Sequence, residues 1–193
     1  DAGRDFLARC RRLIDERDEA LAAVQPDDSA PRGLLRMTCS VSYGERFVAP
    51  AVNRFARDHA ELSIELDLDN RLRDLVGDGY DLAIRFGHLT DSRLIARRLA
   101  SRRLILCAAP AYLARRGAPR DLSELPAHDL LTGSSEHWRF SEAGRETSFR
   151  PQGRWRCNSG AAVLDAAIQG LGLCQLPDFY VTEPLRAGVL TAL

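Results

Sequence analysis

The chain contains no lysine. All 27 of its basic residues are arginine, and 27 acidic residues balance them to a formal net charge of zero. Excess positive charge is the main source of non-specific nucleic-acid affinity, so this segment is not expected to grip a polyanion by itself. If DNA is a partner, a different segment binds it. The arginine-only usage, together with many alanines, reads as a compositional bias rather than a functional choice. No run approaches the ~18 uninterrupted apolar residues that a membrane span requires, and the N-terminal residues lack the charged-then-apolar order of a secretory signal. A cytoplasmic location is the expectation.

Paired metal and redox motifs are missing as well. The five cysteines stand at positions 10, 39, 107, 157 and 174 without a C-x-x-C pair. Three of them lie inside apolar strand-like runs, so buried free thiols are expected. His59, His88, His128 and His137 show neither H-x-x-x-H nor Cys/His spacing, and no metal site is expected. There is no G-x-S-x-G elbow, no G-x-x-x-x-G-K-S/T loop and no G-x-G-x-x-G. With no catalytic constellation, the chain is not expected to be an enzyme, and no cofactor is implied.

What the chain does have is a 45% apolar content over 193 residues, enough for one large or two small cores. Residues 2–23 carry Phe6, Leu7, Cys10, Leu13, Ile14 and Leu21 at helical spacing, with Val24 continuing the stripe and charge on the other faces. This predicts a long amphipathic helix, residues 1–24. A Pro-containing polar linker follows, residues 25–33. A helix set apart by a linker needs a partner for its stripe, most simply a second copy of itself; folding back onto its own domain is the alternative.

Strands and helices then alternate. LLRMTCSV and LSIELDL have period 2, YGERFVAPAVNRFARDHA places Phe47, Val48, Ala51, Val52 and Phe55 on one helical face, NRLRDLVGDG reads as a short helix, and DLAIRF as a third strand. Three strands joined by helices predict a parallel sheet. Residues 94–109 read as two strand-like runs joined at Ser101–Arg103. A second α/β set follows: a helix at PAYLARRG with Pro at its start and Gly at its end, a strand at DLLTGSS, a hairpin at HWRFSEAGRETSF, a strand at GRWRCN, a buried helix and strand across SGAAVLDAAIQGLGLCQLPDF, and a short closing helix and strand. The units change over near residues 100–104, giving a first lobe at 34–101 and a second at 102–193.

In open α/β sheets, ligands bind beyond the carboxyl ends of the strands. The loops after the first and third strands, around Ser40–Gly44 and Phe86–His88, should therefore face a cleft between the units. Helix N-termini there favour an anion, and Ser42, Asn70, Asn158 and Ser159 either cap those helices or donate to such a ligand. Arg85 and His88 could supply charge, although for Arg85 a surface ion pair is the preferred reading. Asp67 and Asp69 read as a solvated face; Trp138 reads as a hairpin aromatic and Trp155 as core.

GRDFLARCRRLIDERDEAL resembles the linker helix of the LysR-type transcriptional regulators, and GLLRMTCSVSYGERFVAPAVNRFARDHAELSIEL resembles the first strand-helix-strand of their effector domain. DLVGDGYDLAIRFGHLTDSRLIARRLASRRLILCAAPAYLARRGAP is similar to that domain's most recognisable stretch, and NSGAAVLDAAIQGLGLCQLPDF to the helix and strand of its second lobe. The resemblance implies an α/β, two-lobed fold like the periplasmic solute-binding proteins (type 2), preceded by the linker helix. It further implies a cytoplasmic homodimer or homotetramer that regulates transcription. DNA would be bound through a winged helix-turn-helix ahead of the linker helix, which this chain does not carry. A small, anionic metabolite would bind between the lobes, contacting Ser40, Ser42, Tyr43, Asn70, Phe86 and His88, with Ser134 from the second lobe and Asn158 and Ser159 as further contacts. Family members also usually continue past the VLTAL region and return to complete the first lobe. A solute-binding transport protein of the same fold is the alternative, and it would need an export signal and no amphipathic stripe. Within the family, a thiol sensor at Cys39 would be the rival mechanism, but strand alternation points Cys39 into the core with Leu35 and Met37.

Overall fold

The computed structural model describes residues 3, 6, 9, 10, 13, 14 and 17, then 30–71, 73–87, 94–142 and 145–193. The seven N-terminal positions are helical, and Phe6, Leu13 and Ile14 of the apolar stripe are exposed. The remainder of the expected helix, and residues 25–29 of the expected linker, lie outside the described residues. Two compact units divide the chain, residues 1–88 and 89–193.

The first unit is built on β1 (Gly33–Cys39), β2 (Leu62–Leu68) and β3 (Leu82–Ile84), in the order β2-β1-β3 and all parallel. The period-2 pattern of LSIELDL is realised residue by residue, half-buried and exposed positions alternating along β2. Between β1 and β2, one continuous helical run comprises α1 (Val41–Tyr43), a π turn (Gly44–Val48) and α2 (Ala49–Asp58). The π turn ends two residues before Pro50, which has no N–H and whose ring crowds the carbonyl four residues back, inside the turn, so the ladder widens there. The inserted residue rotates the helix and divides the expected apolar face. Val48 is buried and Val52 half-buried against Met37, Cys39, Leu66 and Leu68, whereas Phe47 and Phe55 are exposed.

The expected helix at NRLRDLVGDG is not formed among the described residues; the segment is a series of turns. Side chains outcompete the helical ladder here. Asp69 accepts from the Arg71 N–H at 2.9 Å, Asp74 from the Gly77 N–H at 3.1 Å, and Arg36 reaches from β1 to the carbonyls of Asp78 and Gly79 at 3.1 and 2.9 Å.

The second unit holds β4 (Leu104–Ala108), α3 (Pro110–Arg116), a 3₁₀ turn (Leu122–Ala127), β5 (Leu130–Thr132), β8 (Trp155–Arg156), α4 (Gly160–Ile168), β9 (Leu173–Pro177), α5 (Asp178–Arg186) and β10 (Thr191–Ala192). Its sheet has the order β10-β4-β9-β5-β8. β5, β8 and β9 are parallel, and β4 runs antiparallel to both neighbours. The expected hairpin is present as β6 (Trp138–Glu142) and β7 (Arg145–Phe149). Each face of the five-stranded sheet carries a core. Cys107, Leu131, Val163, Ala167, Cys174 and Val181 form one; Tyr112, Leu125, Leu130, Leu173 and Trp138 form the other. Trp138 is thus a core residue as well as part of the hairpin. The first strand-like run expected at residues 94–109 is not a strand: residues 94–100 pair with no strand among the described residues, and Ile95 is 94% exposed.

Two glycines let neighbours approach the start of β5. A Cβ at Gly153 would fall on the Leu130 carbonyl, and one at Gly172 on the Asp129 carbonyl, which accepts the Leu173 N–H at 2.8 Å. Gly172→Ala is expected to cost about 2–3 kcal/mol in urea unfolding, whereas Gly133→Ala, where a Cβ meets nothing, should stay within about 0.5 kcal/mol. Equal losses at both positions would refute the tight approach.

Candidate functional site

Parallel pairing puts the carboxyl ends of three strands on one edge of the first unit: Cys39 is opposite Leu68 and Ile84. The residues that follow them, Ser40, Asp69–Asn70 and Arg85–Phe86, therefore converge. Ser40 occupies the position preceding the first helical turn, in extended conformation, and its side chain caps nothing. That role falls to Asn70, whose Oδ1 accepts the Val41 N–H at 3.1 Å. Asn70 thus caps a helix 29 residues away in sequence rather than one of its own. Ser42 lies one residue inside the helix, half-buried, and Tyr43 follows it, its ring 4.9 Å edge-on from Phe86 and 4.9 Å from Phe47. Tyr43 and Phe86 so form an aromatic wall beside the helix start.

The Ser40 hydroxyl oxygen is buried and makes no hydrogen bond. Such a group costs about 1–3 kcal/mol unless something engages it. Its neighbour Cys39 is fully buried in the core, as its strand position predicts, and burial pushes its thiol pKa up against smaller opposing pulls from Ser40 and the Arg85 charge. A raised, inaccessible thiol is a poor nucleophile, which disfavours the sensor role for Cys39.

Arg85 corrects the expected surface ion pair. It is half-buried and donates to the Thr38 hydroxyl at 2.6 Å and to the Asp69 carbonyl. Both acceptors are neutral. The nearby carboxylates are committed elsewhere, Asp67 accepting from the Tyr80 hydroxyl and Asp69 pairing with Arg73 at 2.8 Å. The Arg71 N–H, with the Arg73 guanidinium, holds the Asp69 carboxyl below the usual range. The edge around Ser40 thus combines the positive end of a helix with a guanidinium that no carboxylate neutralises among the described residues, a field that suits an anion. The Thr38–Arg85 contact was invisible in the sequence because it depends on β1 pairing directly with β3. His88 lies outside the described residues.

In the second unit the carboxyl ends of β5, β8 and β9 also share an edge, where the Cys157 N–H bonds the Thr132 carbonyl at 3.0 Å. The edge gathers Ser134 and Asn158, both exposed, and Ser159. Ser159 caps α4, accepting the Ala162 N–H at 3.4 Å, so the capping alternative holds for it. Gln175, which sequence reasoning did not single out, clamps the hairpin here: it accepts the Arg139 N–H at 2.9 Å and donates to the Arg139 carbonyl at 2.7 Å.

Comparison with known proteins gives one consistent result. The family profile of the LysR substrate binding domain matches residues 28–193. The chain is 30% identical to an uncharacterised HTH-type transcriptional regulator of Haemophilus influenzae over 194 residues, covering 98% of this chain and 67% of that protein. It is 31% identical to the HTH-type transcriptional activator TtdR of Escherichia coli K12 over 191 residues, covering 96% and 59%. Among solved structures it is similar to full-length AphB, a Vibrio cholerae virulence activator (TM-score 0.76, 28% identity, 100% of this chain and 67% of that one). Full-length CrgA, a LysR-type regulator of Neisseria meningitidis, is likewise similar (TM-score 0.71, 26% identity, 100% and 67%). The chain thus spans 59–67% of the length of these proteins.

Loss of the Asn70 cap by Asn70→Ala is expected to lower stability by about 1 kcal/mol. Asn70→Asp, which keeps the acceptor and adds favourable charge, should remain within about 0.5 kcal/mol of the parent. Chemical denaturation of the two variants side by side checks this.

Proposed function

The chain belongs to the LysR substrate-binding domain family, and from that premise we propose that it is the effector-sensing and oligomerisation region of a bacterial DNA-binding transcriptional regulator. Residues 1–24 serve as linker and dimerisation helix, 25–33 as linker, 34–101 as the first lobe and 102–193 as the second. A small anionic metabolite binds between the lobes. Ser40, Ser42, Tyr43, Asn70 and Phe86, with His88, form one wall of its site, and Ser134, Asn158 and Ser159 belong to the other. A winged helix-turn-helix outside this chain contacts DNA, in a cytoplasmic homodimer or homotetramer. The family's regulatory role requires no catalytic step. No described helix is long and apolar enough to cross a membrane.

The observation that carries the reading is the buried Ser40 hydroxyl without a partner, next to a helix N-terminus and the Arg85 charge. A ligand carboxylate accepting from Ser40 would satisfy the hydroxyl and meet the positive field. Ligand binding regulates only if its affinity differs between two arrangements of the protein, and exposure of Phe6, Leu13 and Ile14 provides a surface through which copies could associate and transmit that difference.

A thermal-shift screen of small carboxylates, aromatic acids and amino acids tests this. A true effector at a hundredfold excess over its Kd should stabilise the protein by about 2.7 kcal/mol. Ser40→Ala should leave the unliganded protein as stable as the parent or better by about 1 kcal/mol, since it removes an unsatisfied group, while weakening the effector about 5- to 10-fold. A Ser40→Ala variant that loses stability yet binds normally would make Ser40 a structural residue and sink the assignment.

A further inference from the structure

β4 and β9 pair antiparallel with Leu104 opposite Pro177, Ile105 opposite Leu176, Leu106 opposite Gln175 and Cys107 opposite Cys174. The two sulfurs are 3.6 Å apart, both residues are 0% exposed, and both belong to the core beneath α4 and α5. The Asp178 N–H bonds the Arg103 carbonyl at 2.9 Å, so positions 103 and 178 form a hydrogen-bonded pair. Pro177, with no N–H, falls at the alternate kind of pair, and Cys107 with Cys174 returns to the hydrogen-bonded kind. Such pairs have Cα atoms about 5.5 Å apart, inside the span of about 4.4–6.8 Å that a disulfide bridges.

We propose that Cys107 and Cys174 are a reversible dithiol–disulfide site oxidised by a small hydroperoxide. The Cys107 thiolate attacks one peroxide oxygen, forming an S–O bond as the O–O bond breaks; the departing oxygen takes a proton and leaves as alcohol or water. The Cys174 sulfur then attacks the sulfenic sulfur, forming the S–S bond and expelling hydroxide, which takes the Cys174 proton and leaves as water. The two sulfurs together lose two electrons, and the peroxide gains them.

The sheet order β10-β4-β9-β5-β8 puts Cys107 one strand in from the β10 edge and Cys174 on the central strand, so Cys107 is the sulfur a reagent meets first and the attacking one. The neighbouring thiol, in hydrogen-bond contact with it, favours its thiolate. The bond must draw opposed Cβ atoms of a ladder pair inward, which strains it and leaves it easily reduced, as a reversible site requires. Cys107 stands opposite Ala192 of β10, and Leu190 packs on the same core, so a reagent reaches the pair when this edge of the sheet opens. Such opening is a local event of the kind that native proteins undergo without global unfolding.

The test uses the reduced full chain in native buffer with hydrogen peroxide, followed by denaturation, alkylation and tryptic peptide mapping. Cleavage at arginine releases Cys107 in residues 104–115 and Cys174 in residues 157–186, the latter also containing Cys157. The expected product is a disulfide joining these peptides, assigned by fragmentation to Cys174 and abolished by dithiothreitol. It should persist in Cys157→Ser; in Cys174→Ser the reaction should stop at a Cys107 sulfenic acid that dimedone traps. Both thiols recovered alkylated, oxidation to sulfinic acid without a link, or a bond to Cys157 would each overturn the proposal. The wild-type map decides the matter even where a variant fails to fold.

Discussion

Parallel pairing of β1 with both β2 and β3 is the constraint on which the first unit depends. It obliges three strand ends, Cys39, Leu68 and Ile84, to lie along one edge, and whatever the chain places next is gathered there without further instruction. The alternation of β2 and the core of Met37, Cys39 and Val48 fix which face is buried, and a slip by one residue would turn every apolar side chain outward. The site is a consequence of register. Gly44 eases the fit: a Cβ there would meet the end of the Leu68 side chain, which would have to turn aside for the helical run to lie as close over β2.

The second unit meets the same problem with a mixed sheet. β5, β8 and β9 keep the parallel arrangement that brings loops to one edge, while β4 runs against them and is fixed at its start by the Asp178 N–H bond to the Arg103 carbonyl. The Arg103–Asp178 ion pair at 3.7 Å adds little, because Arg103 is well solvated. Antiparallel β4–β9 pairing also places two cysteines opposite each other although 67 positions separate them. Neither stretch shows that relationship alone.

How much was legible follows from which forces were local. The LSIELDL strand, the PAYLARRG helix that ends at Gly117 with φ of 76°, and the hairpin at 138–149 are written in periodicity and punctuation, and all three are present. The failures are non-local or competitive. Turns replace the expected helix after Asn70 because Asp69 and Asp74 capture backbone amides and Arg36 draws in the carbonyls of Asp78 and Gly79. Residues 94–101 read as a strand from composition, yet a strand exists only through its partner, and none pairs with it among the described residues. Of the expected site residues, Ser40, Tyr43, Asn70 and Phe86 could be gathered by asking where parallel strands end. Arg85 lies at the same strand end, but its bonds to Thr38 and the Asp69 carbonyl, like the clamp made by Gln175, could not be read, since each acts through residues brought near only by the folded sheet.

The electrostatics of the first unit's edge then follow from what each charge is already doing. An acid close to a vacant hydroxyl would repel an anionic ligand, but Asp67 is engaged by Tyr80, and Asp69 directs its carboxylate to Arg71 and Arg73 while offering Arg85 only its carbonyl. Arg85 is held by two neutral acceptors rather than by a carboxylate among the described residues, and half-burial lowers the screening around it. Asn70 meanwhile satisfies the first helical N–H and leaves the Ser40 hydroxyl with nothing to bond. A fold selected for stability alone would place alanine at position 40, because the methyl would lie against Cys39 without the desolvation penalty of the oxygen. Retention of a hydroxyl where the protein gives it no partner is the kind of local inconsistency expected at a functional site.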